Sequence, residues 1–494
     1  MVTGNKLGLF CLLLAALGVV ARAHVTEYDE YWREREAAAR RLAEEAYHPD
    51  PEEVTDELNE HVNKAIEGLN TTRRHLTGNF GSCTATNPID RCWRCRPNWQ
   101  KERKRLARCA KGFGRHTTGG LRGRYYVVTD SSDSSLTDPK PGTLRHAVIQ
   151  TRPLWITFAA DMVIRLQQEL IVQSDKTIDG RGAEVHIAHG AGFTIQYVHN
   201  VIIHGIHIHE IKSGNGGLIR DSVDHFGLRT PSDGDGISIF GSSNIWLDHL
   251  TMSRCTDGLI DATMGSTAIT ISNSFFTYHD KVLLFGATDA YPEDERMQIT
   301  VAFNHFGEGL VQRMPRCRRG FFHVLNNDYT QWRMYAIGGS KNPGPVPTFW
   351  RPGAKLKFGP RAGGPDPTEL EWRPSALKVT TEWRPGASAP LAPVLGRACK
   401  NPTIISQGNR FVAPDDLHAK QVTKRESATE ETWKHWVWKS EGDLMVNGAY
   451  FTPSGAPLSM KHSRHDKIKA KHGGYASRLT RFSGALHCRA GRPC

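Results

Sequence analysis

Short runs of alternating apolar and polar residues recur along the middle of this chain, and each runs into Asn, Asp or His. Asn200-Val-Ile-Ile-His-Gly-Ile, Asn244-Ile-Trp-Leu-Asp-His-Leu and Ala268-Ile-Thr-Ile-Ser-Asn-Ser-Phe share this shape with Ile299-Thr-Val-Ala-Phe-Asn-His-Phe and Phe322-His-Val-Leu-Asn-Asn-Asp-Tyr. A period of two in β-branched residues closed by turn formers predicts strands. The turn residues His249, Asn273, Asn304 and Asn327 fall 24, 31 and 23 residues apart. Repeats of that length, each unable to bury its own apolar face, predict a solenoid whose coils cover one another. With almost no helical period between the strands, the fold class is all-β, a right-handed single-stranded parallel β-helix. A β-sandwich would space its strands more closely. The run Tyr31 to Ala46 reads as helix, so the β-helix carries an N-terminal helical extension.

The flanks bound the organisation. Residues 1–23 carry Lys6, an apolar run from Leu7 to Val20 and Ala21-Arg22-Ala23, the marks of a signal peptide. That core is too short for a membrane span and no later segment reaches one, so a secreted, soluble, non-membrane protein is expected. Residues 24–80 form the helical extension, read as a solvated appendage because its face is mostly charged. Residues 81–343 hold the first part of the β-helix. Residues 344–402 are rich in Pro, Gly and Ala and lie between Lys341-Asn342-Pro343 and its repeat Lys400-Asn401-Pro402. They read as a disordered insertion without catalytic role. Residues 403–494 resume the β-helix and end in a cysteine-bearing tail.

The net charge is +12, and loss of Lys6 and Arg22 with the signal leaves +10. A cationic secreted protein can meet nucleic acid, anionic membrane or acidic polysaccharide. The chain shows no basic helix, stacking sheet or nucleic-acid motif, which favours the polysaccharide. Of ten cysteines, nine remain without Cys11, and the secretory route makes most of them disulfides. Cys92-x-x-Cys95 lacks the second pair that a zinc finger needs. The sequon Asn70-Thr71-Thr72 makes Asn70 a glycosylation candidate.

The candidate chemistry lies between Ser232 and Arg319. Asp233 and Asp235 are two apart, and on a strand they point the same way. Asp257 and Asp261 follow, with Asp257 lying 24 and 22 residues after the first pair. At one coil per 22–24 residues the four carboxylates stack at about 4.8 Å. So many acids together raise one another's pKa unless a cation sits among them, and an all-oxygen carboxylate set suits Ca2+. Turn capping accounts for any one of these Asp residues, but poorly for all four. Lys281 lies 24 residues after Asp257, one coil along on the same wall.

These residues sit within longer motifs. Asp233-Gly-Asp-Gly-Ile-Ser-Ile-Phe-Gly-Ser-Ser-Asn-Ile-Trp-Leu-Asp-His249, Asp257-Gly-Leu-Ile-Asp-Ala262, His279-Asp-Lys-Val-Leu-Leu284, Asn304-His-Phe-Gly-Glu-Gly309 and the run Gln312 to Arg318 occur in that order. In these motifs the chain resembles the plant pectate lyases of polysaccharide lyase family 1, which include pollen allergens. The resemblance covers about 80–343 and 402–494, more loosely 24–80, and leaves out the insertion.

It implies Ca2+-dependent β-elimination of de-esterified homogalacturonan in the plant cell wall by a protein expected to be monomeric. It implies Asp233, Asp235, Asp257 and Asp261 as metal ligands, Arg313 as catalytic base, and Lys281 and Arg318 as cations gripping uronate carboxylates. Arginine ordinarily keeps its proton, so the role implies a rate rising toward alkaline pH. Arg316, Arg319 and the acidic loop Asp289 to Glu295 read as solvated surface, and His249 as a packed turn residue. A polygalacturonase-type hydrolase would need paired acids acting without Ca2+, and that family's Asn-Thr-Asp, Gly-His-Gly and Arg-Ile-Lys signatures are missing. The remaining alternative is a catalytically inactive, pectin-binding or allergen-like wall protein on the same fold.

Overall fold

The computed structural model describes residues 30–72, 84–341, 399–456 and 467–494. The expected signal peptide and nearly all of the 344–402 insertion fall outside them. The alternating runs form short parallel strands that stack into three sheets of ten, nine and eight strands. Each coil contributes one strand to each sheet, which makes the chain a parallel β-helix. The stacking is in register: Ile156, Ile178, Ile203, Leu247, Ile271, Val301 and Val324 lie opposite one another on successive strands of the ten-stranded sheet. All seven are buried, so each strand's inward apolar positions find cover only on the coils above and below. On the nine-stranded sheet Phe276, Phe306, Tyr329 and Phe411 stack with centroids 5.2, 4.5 and 4.5 Å apart.

The coil turns are built differently from the sequence expectation. His249 and Asn273 align with Phe303 and Asn326, not with Asn304 and Asn327. These four residues and Gly408 all take a left-handed backbone, with φ of 53°, 50°, 61°, 49° and 60°. One residue further on, side chains form a ladder. Asn304 Oδ1 accepts from the Ser274 N–H at 2.8 Å, Asn327 Oδ1 from the Asn304 N–H at 2.9 Å, and Asn409 Oδ1 from the Asn327 N–H at 2.8 Å. Asn suits both jobs, tolerating the left-handed region and capping a neighbour's amide, so its presence alone does not reveal which position it holds.

The N-terminal extension is not a solvated appendage. Helix Pro51–Thr72 buries Val54, Leu58, Val62 and Ile66, an apolar stripe repeating every fourth residue among charged ones. The helix over 30–46 buries Trp32 and Ala39 against Tyr197. Segment 84–123 lies along the outer face of the ten-stranded sheet. There the Gly114 N–H donates to Thr270 Oγ1 at 2.8 Å and the Gly120 N–H to Thr177 Oγ1 at 2.9 Å. This segment therefore covers that face of the ten-stranded sheet. Asn70 falls in the last turns of helix Pro51–Thr72, and its side chain lies outside those described.

A buried ion network fastens this cover. Asp90 accepts from Arg94 Nη1 at 2.7 Å and lies 2.7 Å from His249 Nε2, while His249 Nδ1 faces the Gly484 carbonyl at 2.9 Å. Both imidazole nitrogens face acceptors, so the ring carries both protons. Burial pulls its pKa down, but Asp90 and Asp248 outweigh burial and hold it above the ordinary value. Removing one partner strands the other charge in the interior, so Asp90→Ala is expected to cost about 3–5 kcal/mol of stability, read from denaturant midpoints at constant slope.

Cys92 pairs with Cys109 and Cys488 with Cys494, and Cys95 is disulfide-bonded as well; Cys255 and Cys317 are free thiols. Strand Ile337–Ser340 ends in the eight-stranded sheet and Thr403–Gln407 resumes in the ten-stranded one. The insertion therefore leaves at a coil corner. Cys399 is already tied to the coils, its N–H donating to the Glu295 carbonyl at 2.9 Å and its carbonyl accepting from the Gly320 N–H at 3.0 Å. No helix among the described residues is long and apolar enough to cross a membrane.

Candidate active site

The eight-stranded sheet brings the candidate residues together on its outer face. Asp233 and Asp235 are not on a strand, as the two-residue spacing suggested; they precede strand Ile237–Phe240. Gly234 between them has φ of 98°, and a Cβ there would lie 2.7 Å from Thr256 Cβ, so only glycine makes this turn. It leaves Asp233 exposed and Asp235 buried. Asp257 leads into the neighbouring strand Gly258–Thr263, which contains Asp261.

One carboxylate oxygen from each of Asp233, Asp235 and Asp257 falls within 4.8 Å of the others. Asp261, four residues after Asp257 and within the strand itself, is not part of that group of three. A Cβ on Gly258 would sit 2.3 Å from Asp261 Oδ1 and 2.9 Å from Asp235 Oδ1. The missing side chain at 258 leaves a cradle between these two acids. Asp235 is fixed by the Gly258 N–H at 2.7 Å and Ser238 Oγ at 2.9 Å.

The electrostatics show what this set lacks. Burial, then Asp233, pushes the Asp235 pKa up to about 7. Asp233, though its surface is exposed, is raised by partial desolvation of its carboxylate and then by Asp257. Asp261 is raised well above the ordinary value by burial and the three other acids, with Arg313 pulling the other way. The ammonium of Lys281, one coil along, lies 2.5 Å from Asp257 Oδ1 and neutralises only that edge. Clustered carboxylate oxygens around a cradle that any side chain would fill fit a hard divalent cation such as Ca2+, which takes six to eight oxygens at about 2.3–2.6 Å.

Arg313 reaches the cluster through a bulge. Lys281 bridges Gln312 while Leu284 pairs with Arg316, so three steps on one strand face four on the next. The extra residue is accommodated where Arg313 takes φ of 64°, and a bulge of this kind re-aims a side chain. Its half-buried guanidinium keeps Nε without a hydrogen-bond partner among the described residues. Arg318 is 5% exposed and pairs with Asp289 at 3.2 Å.

Other surface expectations fail. Arg316 pairs with Glu426 at 3.1 Å and Arg319 with Glu295 at 2.5 Å, and Asp294 is fully buried. The loop 289–295 is thus a clamp on the arginines behind Arg313, not solvated surface. The signal available was charge order, acids 24–30 residues before the arginines they meet.

A family model described as "Pectate lyase" matches residues 159–343, and one described as "Pectate lyase, N terminus" matches 24–76. The chain is 55% identical to a pectate lyase of Lilium longiflorum over 487 residues, covering 98% of each. It is 51% identical to the probable pectate lyase P59 of Solanum lycopersicum over 496 residues, covering 98% of this chain and 97% of that one. Among solved structures, the crystal structure of Jun a 1, the major allergen from cedar pollen, superposes with a TM-score of 0.66 at 37% identity. The match covers 81% of this chain and 99% of Jun a 1.

Proposed function

The chain belongs to the pectate lyase family and is a pectate lyase, and from that premise we propose that it cleaves de-esterified homogalacturonan by Ca2+-dependent β-elimination, secreted into the plant cell wall and acting as a monomer. The observation that carries the reading is the acid cradle of Asp233, Asp235, Asp257 and Asp261 beside Lys281 and Arg313. In the proposed roles the four acids hold Ca2+, which when bound acidifies the C5 proton by neutralising the uronate carboxylate. Lys281 binds a uronate carboxylate as a point charge. Arg318, held by Asp289, has to exchange that partner for a uronate to serve as the second grip.

Arg313 takes the proton from C5 as general base. The electron pair left at C5 forms the C4–C5 double bond, the C4–O4 bond breaks, and O4 leaves with a proton from solvent. A guanidine that acts as a base must first be neutral, so the rate is expected to rise toward alkaline pH.

The test is polygalacturonate digestion followed by absorbance of unsaturated ends. Product is expected to accumulate with Ca2+ and to stop with chelator. New reducing ends without unsaturation would mean hydrolysis, and binding without cleavage would mean an inactive wall protein.

A further inference from the structure

A second cluster of ligating side chains lies on the nine-stranded sheet, apart from the acid cradle. Strands Val185–Ala188 and His207–His209 are neighbours, with His186 opposite His207 and Ala188 opposite His209. The His186 and His207 rings stack with centroids 4.4 Å apart and planes 13° from parallel. His186 Nδ1 lies 2.9 Å from His209 Nε2, and His186 Nε2 lies 3.3 Å from Glu184 Oε1.

We propose that Glu184, His186 and His207 bind a borderline divalent transition metal, of the Zn2+ or Cu2+ type, with His209 orienting the His186 ring. Three observations carry this. First, one donor atom from each of the three lies within 4.8 Å of the others. A tetrahedral ion with bonds of about 2.1 Å needs about 3.4 Å, so on binding the exposed Glu184 leaves His487, 3.8 Å from its Oε2, and the His207 ring turns out of its stack on His186. Second, no hydrogen bond occupies either nitrogen of His207 among the described residues, although the ring is half-buried.

Third, His209 fixes the His186 ring through one nitrogen and leaves the other directed at Glu184, the arrangement by which a neighbour orients a metal-bound imidazole. Mixed nitrogen and carboxylate donors suit Zn2+ or Cu2+, whereas Ca2+ prefers all-oxygen sites. Repeated stacking of one residue type along a β-helix does not account for the pair: the column continues from His207 to Thr251 and Phe275. The donors come from successive coils, so a bound ion ties those coils together.

The experiment is isothermal titration of the chelator-stripped full chain with ZnCl2 in saturating Ca2+, which keeps the acid cradle filled. One equivalent is expected to bind and to raise the melting temperature. His207→Ala and Glu184→Gln are each expected to abolish both effects while leaving lyase activity intact. Glu184 is exposed, so its variant decides the matter should His207→Ala fail to fold. Undiminished Zn2+ uptake in Glu184→Gln, or no uptake by the unmodified chain, would overturn the assignment.

Discussion

Arg313→Lys is expected to lower kcat for β-elimination by about 10^2–10^4-fold, the range a positioned acid–base group supplies, with little change in KM. The substitution keeps a positive charge, so it separates two roles that alanine would confound. A cation that only grips uronate is replaced tolerably by lysine. A base whose nitrogen must meet C5 at one position is not, because the ammonium ends a different stem and offers a point charge in place of a fork.

The backbone beneath Arg313 does not move to compensate. Its carbonyl accepts from the Leu283 N–H at 2.7 Å, and the Met314 N–H donates to the Ala336 carbonyl at 2.7 Å. Lys281→Ala removes a contact made with bound substrate as well as with the transition state, so it is expected to raise KM more than it lowers kcat. Initial rates of unsaturated-end formation over a range of polygalacturonate concentrations check both variants, with melting temperatures to confirm folding. Arg313→Lys within about tenfold of the parent kcat, short of what a general base supplies, would move Arg313 from base to grip.

What was legible in the sequence followed from period and charge. Strand spacing is a property of the chain itself, so coils of 22–31 residues and a parallel stack could be read before any contact was known. Lys281 on the wall of Asp257 followed from the same arithmetic. Features that depend on which neighbour a residue meets were hidden. His249 looked like a partner of Asn304 because both end a strand, yet pairing puts Asp248 beside Ser272 and Ala302, one residue earlier in the turn. The stripe Val54, Leu58, Val62 and Ile66 was masked by the charges around it, since burial of one face does not alter overall composition. The bulge at Arg313 left no trace in hydrophobic pattern. The acidic loop 289–295 read as solvated because its partners Arg318 and Arg319 lie a coil away.

The metal-free protein is expected to lose stability as pH rises from about 4 to about 7, and calcium is expected to restore it most at the upper end. Aspartate in an unfolded chain has a pKa near 3.9, whereas Asp235 folded without metal is held up to about 7, and Asp233 and Asp261 are raised too. Between those limits the folded state binds more protons than the unfolded state, so each step up in pH favours unfolding. The stabilisation is fully present below the unfolded pKa and is gone once pH passes the folded one. It amounts to a few kcal/mol shared over the coupled set.

Two acids elsewhere add a slope of the same sign. Burial lifts Asp294 to about 7 and Asp443 to about 6, and neither belongs to the cradle. The informative quantity is therefore the difference between melting curves with Ca2+ and with chelator. That difference is expected to be small at pH 4, where protons already neutralise the cradle, and large at pH 7. At a hundredfold excess over Kd it corresponds to about 2.7 kcal/mol. Asp235→Asn sharpens the case, because it removes a repelling charge from the cradle. The variant is expected to be more stable than the parent in chelator at pH 7, to gain little from Ca2+, and to lose lyase activity. Equal Ca2+ shifts at pH 4 and pH 7, or none in the parent, would detach these acids from calcium. A site assembled from mutually repelling carboxylates is a cost to the fold that only its ligand relieves, and this pair of measurements reads that cost directly.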